Sequence, residues 1–166
     1  MITLMWFVKS LDTGSPEEGF KALNKEDVKT EKGAAFWSQV CGGYNGIAAD
    51  KGGALSGGGG LRSEALLILS NKKWKLPCKG TAQTWNAIKN SCDDGYYYLG
   101  LQKVFGTEGG HAIGLYVNGG AFVLMDPNHG IVVDLIGLTG ISTVLNDMWT
   151  KHTPGGGCTV YKVEAE

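Results

Sequence analysis

At 166 residues, with 43% hydrophobic and 19% charged side chains, the chain can bury a sizeable core, and one domain over residues 1–166 is the simplest organisation. A formal net charge of -1 gives no electrostatic case for nucleic acid or for an anionic membrane surface. No apolar run reaches the length of a bilayer-spanning helix, so stable membrane insertion is not expected, and residues 2–8 are too short for a secretory signal and lack its preceding basic region.

The first predicted element is a strand over residues 2–9, an apolar run ending before a Gly-Ser-Pro turn. A short helix follows at 16–24, and a second at 34–40, close to Cys41. Glycine dominates 42–60, which reads as a mobile loop. Its Gly57 to Gly60 run is not followed by Gly-Lys-Ser or Gly-Lys-Thr, so it is no phosphate loop. Compact helices are expected at 61–69 and 81–90, the latter with Trp85 and Ile88 on one side. A strand follows at 96–104, then two more that form a hairpin, then one at 131–135. An amphipathic helix at 141–152 and a closing strand at 158–163 complete the chain. Helices come first and a sheet second, with one late helix, which indicates α+β rather than a doubly wound sheet.

The hairpin carries the first chemical signal. Its strands, 111–117 and 120–126, flank Asn118-Gly119, a strong two-residue turn signal. That turn would set Val117 opposite Gly120 and His111 opposite Asp126, with Cβ atoms about 4.5–5.5 Å apart. A three-residue turn would instead oppose Asp126 to Ala112 and send its side chain to the other face. An imidazole beside a carboxylate has a mechanistic use, because the carboxylate fixes the tautomer and stabilises the imidazolium formed in proton transfer.

Such a pair needs a group to activate, and a thiol beside an imidazole ionises near neutral pH, most readily at a helix N-terminus. Four cysteines and no Cys-x-x-Cys pair do not describe a disulfide scaffold or a zinc site, although the even count permits two disulfides in an oxidising compartment. Cys41 is the best-placed nucleophile, because Gly42 and Gly43 keep the space around its sulfur clear. Cys78 is the rival, in a Pro-Cys-Lys-Gly-Thr segment expected to precede a helix. Cys92 and Cys158 lack activating surroundings and read as structural. Gln39 and the Cys41 amide are the candidate oxyanion donors. His111, Asp126 and His129 could in principle make a two-histidine, one-carboxylate metal set. His129 is more simply an exposed turn residue, so neither a metal nor any other cofactor is expected.

Gly109-Gly110-His111-Ala112-Ile113 and Phe122-Val123-Leu124-Met125-Asp126-Pro127-Asn128-His129-Gly130 resemble the His and Asp motifs of the YopT-type cysteine proteases, papain-like enzymes among bacterial effectors. In that family Gly-His-Ala is followed by an Asp-Pro-Asn-aromatic-Gly turn, with a strand before and a helix and strand after; the likeness covers roughly residues 95–163. It implies a papain-like α+β fold, an N-terminal helical part packed on a C-terminal antiparallel sheet, with His111 as general base and Asp126 as its orienting partner. The family's nucleophile lies in a Cys-x-Gly segment opening a hydrophobic helix that ends in Trp. Cys41-Gly42-Gly43-Tyr44 matches the segment, but no such helix follows it, and Ala35, in Gly33-Ala34-Ala35-Phe36-Trp37, opens a helix where a cysteine would suit. The resemblance further implies a protein or peptide substrate, secretion without a classical signal peptide and action in a target cell, and a cognate chaperone or immunity protein; otherwise the protein is cytoplasmic. Peptidoglycan amidases, glutamine deamidases and non-catalytic binding proteins of the same fold are the alternatives.

Overall fold

The computed structural model describes residues 2–24, 74–82, 84–101, 111–134 and 157–165. The helices expected at 34–40, 61–69 and 141–152 and the glycine-rich loop at 42–60 lie outside them. The chain divides into two compact units, residues 1–76 with 164–166, and residues 77–163.

In the first unit, helices α1 (Ile2–Thr13) and α2 (Pro16–Asn24) pack against each other across a short turn. The strand expected at residues 2–9 is therefore a helix. A short continuous apolar run suits a buried helix as well as a buried strand, and periodicity cannot separate them. Here Leu4, Met5, Trp6, Phe7 and Val8 are all buried, so this stretch of α1 is apolar on every side. Trp6 Nε1 donates to the Pro16 carbonyl at 2.9 Å and ties α1 to the start of α2. The helices approach closely where Gly19 meets Ser10, whose Cα and N stand 2.5 Å from where a Gly19 Cβ would be. Strand β1 (Trp74–Lys75) pairs antiparallel with the end of β7 (Cys158–Ala165), Lys75 with Glu164.

The second unit is built on an antiparallel sheet in the order β2-β7-β3-β4-β5-β6. Its further strands are β2 (Cys78–Ala82), β3 (Gly95–Leu101), β4 (His111–Asn118), β5 (Ala121–Asp126) and β6 (Gly130–Asp134). One face is dry, carrying Tyr97, Leu99, Ile113, Leu115, Leu124 and Val160, and Ile88 of helix α3 (Trp85–Ser91) belongs to the same cluster. The helix expected from residue 81 starts at Trp85 instead. Thr84 is its N-cap, its hydroxyl accepting from the Ala87 amide at 3.2 Å, while Thr81 and Ala82 pair with β7. After α3, Asp93 accepts from Lys162 Nζ at 2.8 Å and from the Tyr97 hydroxyl, linking that connection to β7 and β3.

The β4–β5 turn is Gly119-Gly120, not Asn118-Gly119. Asn118 pairs with Ala121, Val117 with Phe122 and Leu115 with Leu124. Both glycines have positive φ, 56° and 84°, as a type I′ turn demands. Asp94 Oδ1 accepts from the Gly119 amide at 2.9 Å and holds the turn. Relative to the expected register each partner moves by two residues. Because side chains alternate with a period of two, this shift leaves every side chain on its expected face.

Candidate active site

His111 opens β4 and Asp126 ends β5, both on the face that carries the buried cluster. With Gly114 paired to Met125, Ile113 stands opposite Asp126 and His111 lies one step further along that face. The contact is therefore diagonal, not the direct opposition expected. Diagonal neighbours on a sheet remain within reach of a long side chain, and His111 Nε2 lies 2.8 Å from Asp126 Oδ1.

The turn after β5 completes the surroundings of Asp126. Asp126 pairs with Gly130 across a three-residue connection, Pro127-Asn128-His129. Asp126 Oδ1 accepts from the Asn128 amide at 2.8 Å, its carbonyl accepts from the His129 amide at 3.2 Å, and Gly130 takes φ of 100° to re-enter the sheet. His129 Nδ1 then reaches Asp126 Oδ2 at 2.6 Å. Asp126 is 2% exposed, His111 12% and His129 51% by side chain, so a buried carboxylate serves two imidazoles of unequal access. Burial pushes the Asp126 carboxyl up, but hydrogen bonds from His111, the Asn128 amide and His129 outweigh it and hold the pKa down to about 2. A carboxylate held ionised at neutral pH beside His111 can fix its tautomer and stabilise its protonated form.

His129 was expected as an exposed turn residue. Half of it is exposed, yet its ring closes on Asp126, a contact that its spacing of three residues from Asp126 permits but does not announce. Among the described residues no group of three His, Cys, Asp or Glu is arranged to hold a metal ion; the imidazole nitrogens nearest Asp126 engage its two oxygens.

Cys41, Gln39 and Ala35 lie outside the described residues. Among the described residues, Cys78, Cys92 and Cys158 are free thiols. Cys78 does not precede a helix directly: it begins β2, paired with Tyr161, which pairs with Tyr98, which pairs with Gly114 of β4. It sits three strands from β4, about 14 Å at the usual strand spacing, on the sheet face opposite His111. Cys158 shares a row with Leu101 and His111, two strands from the latter, and is fully buried. Burial pushes its thiol up to about 12, and burial pushes that of Cys92 up to about 11. Neither is poised as a thiolate at neutral pH.

No family model matches the chain, and no curated protein matches it. Among solved structures it is similar to the Pseudomonas avirulence protein AvrPphB, with a TM-score of 0.62 and 19% sequence identity over 99% of this chain and 89% of that one. The chain has the papain-like α+β fold. The likeness read from the Gly-His-Ala and Asp-Pro-Asn motifs therefore holds at the level of fold. Among the described residues of this papain-like chain, no helix is long and apolar enough to cross a membrane.

Proposed function

We propose that the chain is a papain-like cysteine hydrolase that cleaves a peptide or amide bond with Cys41, His111 and Asp126, and that its two compact units are halves of one domain. The observation that carries this reading is the His111–Asp126 hydrogen bond, made by a buried, ionised carboxylate in a fold of this type. With Nε2–H donated to Asp126, Nδ1 is the basic nitrogen of the neutral ring and takes the thiol proton. The Cys41 thiolate attacks the acyl carbon. The Cys41 amide and Gln39 hold the oxyanion, His111 returns its proton to the leaving amine, and water activated by His111 resolves the acyl-enzyme. The likeness to an avirulence protein supports a secreted effector or toxin acting on a host protein, accompanied by a cognate chaperone or immunity protein.

The test is turnover of an unfolded protein substrate by the wild type, C41A and H111A. Loss of about 10²–10⁴ in kcat in both variants, with circular dichroism unchanged, supports the reading. A fully active C41A removes Cys41 from it. Incubation with purified sacculi and with host lysate decides the substrate class, since released muropeptides identify a peptidoglycan amidase and new protein termini a protease. A one-dalton mass gain in a host protein without cleavage identifies a glutamine deamidase.

One observation favours a second reading, a binding protein without catalysis. The family's nucleophile segment opens a hydrophobic helix that ends in Trp; among the described residues the hydrophobic helix that carries a Trp is α1, with Trp6 buried, and it lies well before Cys41 in the sequence. A thiol probe that labels no cysteine rapidly at neutral pH would favour it.

A further inference from the structure

A carboxylate held through one oxygen can swing about its terminal torsion, which is broad and roughly two-fold. Asp126 Oδ1 accepts from both His111 Nε2 and the Asn128 amide, and both lie on one side of the group. Oδ2 is held by a different residue, His129, whose Nδ1 approaches to 2.6 Å. The His129 backbone amide also donates to the Asp126 carbonyl, so main chain and ring of one residue close on Asp126 together. The carboxylate accepts, so His129 is the Nδ1–H tautomer, or protonated, whenever this contact exists. Half of the His129 side chain is exposed, which separates this contact from the packing of the core.

We infer that His129 is a positioning residue: by occupying Asp126 Oδ2 it fixes the carboxylate plane and keeps Oδ1 aimed at His111 Nε2. It touches neither substrate nor the reacting atoms in this role. Supporting shells of this kind hold a site within a few tenths of an ångström of its working geometry. For catalysis the inference rests on the hydrolase reading above, but its geometric content does not.

The experiment compares wild type, H129A and H129N after selective ¹⁵N labelling of histidine. Asn places an N–H near the position of His Nδ1, does not titrate, and can restore the contact. The hydrogen-bonded Nε2 proton of His111 should be visible in the wild type and in H129N and lost to exchange in H129A. Where hydrolysis is measurable, kcat should fall about tenfold in H129A, as expected for one hydrogen bond to a charged group, with KM within about twofold and with H129N restoring kcat. An H129A protein that keeps both the resonance and the rate, or an H129N protein that behaves as H129A does, overturns the role. If the wild type hydrolyses nothing, the functional reading falls, and the resonance alone still decides what His129 does.

Discussion

His111 and Asp126 meet diagonally across the β4–β5 hairpin, Nε2 to Oδ1 at 2.8 Å, while the residue opposite Asp126 is Ile113. The diagonal has an energetic side. Asp126 would be costly to bury as a lone carboxylate, and its donors hold it ionised.

That relationship predicts a pH-dependent stability. The Asp126 carboxyl is lowered from the ordinary 3.8 to about 2 in the folded chain. A group with a depressed folded pKa stabilises above its unfolded pKa and loses that contribution as pH falls through the folded value. Asp126 should thus contribute about 2 kcal/mol that is complete above about pH 4 and largely gone near pH 2. Urea unfolding across this range should show the loss in the wild type and a correspondingly shallower slope in D126N. Equal slopes in the two proteins would show that Asp126 is not held ionised by its donors.

The hairpin was legible in its residues and its faces but not in its turn. Asn118-Gly119-Gly120 offers two overlapping dipeptides, and both suit a type I′ turn. What separates them is tertiary, the Asp94 carboxylate that accepts from the Gly119 amide and a neighbouring β3 whose Gly95 pairs with Val117. A slip of two residues preserves the faces, so His111 and Asp126 still meet. The strand expected at residues 2–9 failed for a different reason: a segment buried on all sides leaves no amphipathic period to read, and Trp6 and Phe7 pack in a helix. Cys78 misled through its Pro-Cys-Lys-Gly-Thr context, whose partner strand β7 lies about 80 residues on and is invisible to local reasoning. The His129 contact depends on how the Asp-Pro-Asn turn closes, which spacing alone does not disclose.

The turn itself can be tested. No heavy atom stands within 4 Å of a Cβ added at Gly119 or Gly120, so only backbone conformation opposes a side chain. Gly119→Asn should be nearly neutral, since Asn adopts the left-handed region readily, whereas Gly120→Val should cost about 1–2 kcal/mol. Thermal unfolding of the two variants checks this. A Gly119→Asn penalty as large as that of Gly120→Val would contradict the turn.

In the helical unit, Gly19→Ala should be destabilising although alanine is the better helix former. The added Cβ would fall 2.5 Å from both Cα and N of Ser10, and close to its Oγ. Backbone atoms in a packed helix pair cannot withdraw cheaply, and overpacking of this kind costs about 1–3 kcal/mol. A Gly19→Ala protein with a higher midpoint in urea would show that α1 and α2 are not in this contact.

In the proposed mechanism the His111–Asp126 pair serves the Cys41 thiol. Its most direct test is alkylation by iodoacetamide from pH 5 to 9, with the modified cysteine identified by mass spectrometry in the wild type and in H111A. Cys41 should be labelled first and already react at pH 6, Cys92 and Cys158 should stay unlabelled while the chain is folded, and H111A should slow Cys41 at pH 6 at least about tenfold. Labelling of Cys41 with the pH dependence of an ordinary thiol, identical in H111A, would contradict it.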